Sequence, residues 1–202
     1  MRANLGGRCA ARLPILLVAL TLVACAACAG RGPDSQMLPA GLLPAEEQVI
    51  SGVPFHSQGV GECGPASLAG VLNFHGDPAT PEEIAADVLR TNLRGSLTLD
   101  LALWPRSRGF TTRWYAGSVR DILDKTGQGL PLLVMLDQGF GPVSANHFVV
   151  LLGHAPDAII INDGARGPGV RMDWSRFLSQ WERAGFWTLL VEPAQAGQED
   201  RS

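Results

Sequence analysis

The sequence predicts an α+β domain, with helices gathered in its first half and an antiparallel sheet built largely from its second. Three observations carry that prediction. Between residues 63 and 125, apolar residues recur at helical spacing behind recognisable start signals. From residue 132 the pattern changes to continuous apolar runs at 132–136, 146–153 and 157–161. Such runs suit central strands covered on both faces. Helices followed by strands, rather than strict alternation, is the α+β order.

The elements follow in chain order. Residues 51–55 (SGVPF) read as a short extended segment leading to a turn at Gln58. Cys63-Gly64-Pro65 opens a helix to about Phe74, since proline fits a first turn where its missing N–H costs nothing. Gly76 suits the end of that helix. Thr80-Pro81-Glu82-Glu83 starts the next, with Thr as N-cap, Pro in the first position and acids in the first turn. Gly95-Ser96 breaks the pattern. A third helix spans 98–108, shortened or kinked by Pro105. Residues 110–115 (FTTRWY) are β-branched and aromatic, hence a strand. Ser118 caps a helix through Lys125, closed by Gly127. After the apolar runs, with a turn at 153–156, Asp173 caps a helix ending at Gly185, and 186–191 is the last strand. From Glu192 the chain turns polar.

The 202 residues carry 46% apolar and 17% charged side chains, enough for one domain with a real core. The net charge of −3 argues against a nucleic-acid partner held by a basic field. Residues 1–24 are not fold. Arg2, Arg8 and Arg12 precede an apolar stretch at 13–24 that is short for a bilayer span. It ends in Leu22-Val23-Ala24-Cys25, which resembles the lipobox of bacterial lipoproteins. That resemblance implies export, acylation of Cys25 and a lipid tether, with outer-membrane anchoring preferred over inner because Ala26 supplies no acidic retention signal. An ordinary secretory signal cleaved after Ala27 or Ala29 is the alternative. Losing the three arginines leaves 13 basic against 19 acidic residues. The predicted organisation is a signal at 1–24, a Pro/Gly-rich tether at 25–48, a domain at 49–193 and a tail at 194–202.

Of the four cysteines, Cys9 leaves with the signal, Cys25 is lipidated and Cys28 lies beside the anchor, so Cys63 is the one thiol of the folded body. A Cys28–Cys63 bridge requires the tether to dock on the domain. A thiol at a helix N-terminus meets the positive end of the dipole and unpaired N–H groups, which favour the nucleophilic thiolate; the plain alternative is a packing cysteine. A nucleophile of this kind needs a base and an orienting group for it. His147 opens an apolar strand, at a rim reachable from a cleft. His56, His75 and His154 have structural explanations in turns or at a helix end. Asp163 closes the run AIIIN and is placed to fix the tautomer of His147, although an Asp-Gly turn explains it equally; Asn162 and Asp137 compete for the role. Gln58, five residues before Cys63, can aim its amide at an oxyanion beside the Cys63 N–H. No compact metal-ligand spacing, glycine-rich phosphate loop or GxSxG is present, so neither metal nor cofactor is expected. The tryptophans read mostly as core.

Gln58, Cys63-Gly64-Pro65-Ala66-Ser67-Leu68, Asn146-His147-Phe148-Val149-Val150 and Asn162-Asp163 together resemble the papain-like cysteine peptidases of family thirty-nine. These are the double-glycine leader peptidases of bacteriocin-exporting ABC transporters. The likeness is greater to their stand-alone exported relatives, and it covers about residues 50–192. It implies a papain-like fold, Cys63 as nucleophile, His147 as general base and then acid, Asp163 as orienting group and Gln58 as oxyanion donor. The family's aspartate is often followed by proline, where this chain has Gly164. No transporter segment accompanies the domain, so the double-glycine preference does not carry over. The expected protein is a lipid-anchored peptidase of the bacterial cell envelope acting on peptide or protein substrates. A peptidoglycan amide hydrolase and a non-catalytic peptide-binding lipoprotein are the competing readings. Oligomeric state is not legible.

Overall fold

The structure is a computed structural model and describes residues 43–90 and 95–194. The signal, Cys25, Cys28, most of the tether and residues 195–202 lie outside the described residues. Nine strands and five helices are described: β1 (Gln48–Val49), α1 (Cys63–Phe74), α2 (Pro81–Val88), β2 (Leu89–Arg90), β3 (Gly95–Ser96), α3 (Thr98–Leu103), β4 (Phe110–Ala116), α4 (Val119–Gly127), β5 (Leu132–Asp137), β6 (Asn146–His154), β7 (Ala158–Asp163), β8 (Gly167–Asp173), α5 (Trp174–Arg183) and β9 (Trp187–Pro193). A 3-10 turn, Trp104–Arg108, continues α3 around Pro105. None of the described helices is long and apolar enough to cross a membrane.

The main sheet is antiparallel, in the order β4-β9-β5-β6-β7-β8, and β1 adds to β6 at Gln48↔His154 and Val49↔Gly153. Its apolar runs are buried on both faces for a simple reason. Alternate residues point to opposite sides, and each side has its own cover. Leu133, Phe148, Val150, Leu152, Ile160 and Leu189 pack with Leu68, Leu72, Ile84 and Leu101 of α1–α3. Leu132, Val134, Val149, Leu151, Ile159 and Ile161 pack with Ile122 of α4 and Trp174, Phe177 and Trp181 of α5. The N-terminal helices therefore cover one face only, and the later two helices cover the other.

The sequence signals act as expected at several ends. Thr80 and Glu83 form a reciprocal capping box, with Oγ1 accepting from Glu83 N at 3.2 Å and Glu83 Oε2 from Thr80 N at 3.1 Å. Ser118 Oγ accepts from Asp121 N at 3.1 Å. Other details differ. Gly127 is the last residue of α4, and the left-handed residue that ends it is Gly129, at φ 74°. Asp173 precedes α5 without a capping bond. β8, with Gly167, Pro168 and Gly169 in its first three positions, carried no strand signal. The stretch read as tether is picked up by the domain at its end: Gln48 pairs in the sheet and Glu47 meets Arg171 at 2.7 Å. Glu192 and Pro193 remain in β9, paired with Thr111 and Phe110.

Candidate active site

The site lies where β6 begins and β7 ends. β7 pairs with β6 only from Val150↔Asn162 onward. Below that level, the main chain of Phe148 has no strand on its β7 side. The N-terminus of α1 takes the position instead. Ser67 Oγ donates to the Phe148 carbonyl at 3.1 Å, and the Phe148 N–H faces the Cys63 sulfur. The helix is thus keyed to the sheet by two contacts on one residue. Close approach is also built in along the helix. A Cβ at Gly70 would stand 2.7 Å from the Pro54 carbonyl, so only glycine lets the segment before Gln58 cross α1.

The start of α1 keeps its donors free. Its N-cap, Glu62, makes no side-chain cap; its Oε2 turns back to accept from Gly59 N at 3.0 Å. The N–H of Gly64 is left to the sulfur, while Pro65 has none to satisfy.

His147, the second residue of β6, is buried, and its Nε2 lies 2.8 Å from Asp163 Oδ1. The other ring nitrogen, Nδ1, is left free by Asp163, and the imidazole is near enough to the Cys63 thiol for each to shift the other's titration. Asp163 is fully buried at the end of β7; Oδ1 also accepts from Ala165 N at 3.0 Å. Histidine and carboxylate come from neighbouring strands and the thiol from the helix that fills the gap between them.

The electrostatics follow from this geometry. Burial pushes the Cys63 thiol up, but the His147 hydrogen bond, the Phe148 N–H, the imidazolium charge and the Gly64 N–H outweigh it, and its pKa falls below the ordinary thiol value. Burial pulls His147 down, but hydrogen bonds and negative charge from Asp163 and Cys63 raise it to about 9. Burial acts to raise Asp163; its bond to His147, the Ala165 N–H, and the His147 and Arg166 charges together hold it below 3.8. A lowered thiol beside a raised imidazole is a thiolate–imidazolium pair over the interval between their two values.

Gln58 stands on the Asp163 side of the site. Its N–H donates to the Gly164 carbonyl at 3.1 Å, its side chain lies against Gly164, and Oε1 is buried without a partner among the described residues. The competing candidates have other work. Asp137 Oδ1 accepts from Gly139 and Ala145 N–H groups and ties the base of the β5–β6 hairpin. Asn162 braces Val53 and Gly169. His56 Nε2 pairs with Asn73 Oδ1 at 2.7 Å; the main chain of His154 pairs with that of Gln48, and its buried Nδ1 has no partner among the described residues. Burial holds His75, packed between Phe74 and Phe110, below its ordinary value, so it is not the helix-end cation its position suggested. Of the tryptophans, Trp174 and Trp181 are core, while Trp114 is exposed. Among the described residues no group of three or more His, Cys, Asp or Glu is arranged to hold a metal. Ser67 and Phe148 stand in the sequence motifs without a role of their own, and Arg166 was passed over. Ser67 sits one turn after Cys63 and Arg166 three residues after Asp163, and those spacings were the available signals.

The fold is that of a papain-like cysteine peptidase. The chain belongs to the Peptidase C39 family, whose model matches residues 54–196. Among solved structures it is similar to a C39-like peptidase from Bacillus anthracis, at 18% identity and a TM-score of 0.60, covering 73% of this chain and 98% of that one. It is also similar to the peptidase domain of Streptococcus ComA, a bi-functional ABC transporter of a quorum-sensing pathway, at 22% identity and TM-score 0.59, covering 70% and 99%. A third is a double-glycine-motif protease from an AMS/PCAT transporter, in complex with the leader peptide, at 25% identity and TM-score 0.57, covering 73% and 99%. No curated protein matches the chain.

Proposed function

We propose that this protein hydrolyses peptide bonds through Cys63, His147 and Asp163, with Gln58 and the Cys63 N–H receiving the oxyanion. The single observation behind this reading is the imidazole of His147, held between the thiol of Cys63 and the carboxylate of Asp163. The Cys63 thiolate attacks the scissile carbonyl carbon, and the C–O π pair moves to the oxygen. His147 then gives its Nδ1 proton to the leaving amine as the C–N bond breaks, leaving a thioester. In the second half His147 takes a proton from water, the hydroxide adds to the thioester carbonyl, and Cys63 departs as thiolate. Asp163 keeps Nε2 protonated throughout, so Nδ1 is the nitrogen that works.

Peptides are the substrate class this reading supports, since a structural neighbour is held with a leader peptide. Lipid attachment at Cys25, after removal of residues 1–24, makes it an envelope enzyme tethered through residues 25–48, in the outer membrane by preference.

The testing experiment is site-resolved alkylation of Cys63 against pH in the purified chain, read by mass spectrometry, with His147→Ala beside it. The expected inflection lies well below about 8.5, the value for a free cysteine, and moves up in the variant. Slow alkylation with an ordinary inflection, indifferent to His147, overturns the proposal.

A further inference from the structure

Asp163 distributes its two oxygens unequally. Oδ1 serves both His147 Nε2 and the Ala165 N–H, at 2.8 and 3.0 Å. Oδ2 is buried and accepts no hydrogen bond among the described residues. A buried carboxylate oxygen without a donor is costly, and a carboxylate so loaded has reason to rotate or to take up a proton. One side chain faces it. Arg166 Nε stands 3.6 Å from Oδ2, too far for a hydrogen bond and near enough to act by charge. The turn sets that approach, because the Arg166 N–H donates to the Asp163 carbonyl at 2.9 Å. The Arg166 side chain remains 39% exposed and is matched to no other carboxylate among the described residues.

Resting on the function proposed above, we infer that Arg166 is a positioning residue for the reaction, holding Asp163 charged and limiting how tightly His147 keeps its proton. The cation lies on the far side of the carboxylate from the imidazole. It opposes the imidazolium while it favours the carboxylate. Both effects serve a group that must release a proton to the leaving amine in one half-reaction and take one from water in the other. The charged groups in contact with the imidazole are Asp163 at Nε2 and Cys63 from α1; Asp163 in turn faces His147 and Arg166, so the Arg166 charge reaches the ring across the carboxylate.

The test is an NMR titration of the His147 ring in the full chain, assigned with His147→Ala, for the wild type, Arg166→Gln and Arg166→Lys. Thermal melting confirms that each variant is folded. Arg166→Gln is expected to raise the His147 titration by about 0.3–0.5 pH unit at low salt, the scale of one partly solvated charge across a carboxylate. Arg166→Lys stays near the wild type, and the difference fades at about 1 M salt, where the screening length is roughly 3 Å. No upward shift, a shift of equal size in Arg166→Lys, or a shift that survives high salt overturns the inference. A wild-type His147 that titrates near its ordinary 6.5 instead removes the ion pair, and with it the function proposed above. The two failures are therefore distinguishable.

Discussion

Gln58 occupies the space that a side chain at Gly164 would fill: a Cβ there would stand 2.9 Å from Gln58 Oε1 and 3.1 Å from its Cβ. The main chains are already tied, Gln58 N–H to the Gly164 carbonyl, so any clash falls on the Gln58 side chain. Gly164→Ala is expected to displace the proposed oxyanion donor while leaving the thiolate intact. Peptide turnover, followed with a fluorescence-quenched peptide library, should fall by about ten-fold or more, against the 10²–10³ known for outright loss of such a donor. Cys63 alkylation should hardly change. Equal losses in both would mean that Gly164 supports the whole site rather than Gln58.

That relationship also separates what was legible in the sequence from what was not. Cys63, His147 and Asp163 were readable because each sits at a marked element end: a helix opened by Gly64-Pro65, and two strands with long apolar runs. The proline expected after Asp163 is absent, and the sequence offered no reason. The reason is a contact across more than a hundred residues, which local patterns do not record. The same holds for Phe148, whose main chain receives α1 only because β7 stops short. β8 escaped notice because Gly167, Pro168 and Gly169 lack strand propensity, and pairing with β7 overrides it. The helices over the second sheet face were each foreseen; that they form a separate layer follows from the pleat and from the connections between strands.

Ser67 joins helix to sheet through a single buried hydroxyl. In Ser67→Ala the Phe148 carbonyl keeps its burial and loses its donor. The expected cost is about 1–3 kcal/mol in urea unfolding. The start of α1 is also freed to slide against β6, so the Cys63 inflection should move up toward the ordinary thiol value. A stability loss without any change at Cys63 would show that Phe148 N–H and His147 hold the sulfur unaided.

Gly70 sits mid-helix, where alanine favours the helix by about 1 kcal/mol. Its surroundings reverse the sign. The Pro54 carbonyl, 2.7 Å from the Cβ position, is backbone and must move. Gly70→Ala should therefore destabilise, by about 1–3 kcal/mol as overpacking does, and should disturb the segment leading to Gln58. A stabilised variant in chemical denaturation would refute the close crossing of residues 53–55 over α1.

Asp163→Asn keeps the shape of the site and removes its buried charge, and its effect on stability should depend on pH in a definite sense. Asp163 is depressed in the folded chain, so its contribution is present above the unfolded value of 3.8 and is lost as pH falls through the folded one. His147 is raised, so its contribution is full below 6.5 and is lost as pH climbs through about 9. Both are at full strength together only between those unfolded values of 3.8 and 6.5. The gap in unfolding free energy between wild type and Asp163→Asn is expected to be widest there, on the order of 1–2 kcal/mol, and to narrow on either side. Urea titrations at a series of pH values measure it. A gap that stayed constant across the range would mean that Asp163 supports the turn through its hydrogen bonds alone, and that the charge on His147 owes nothing to it.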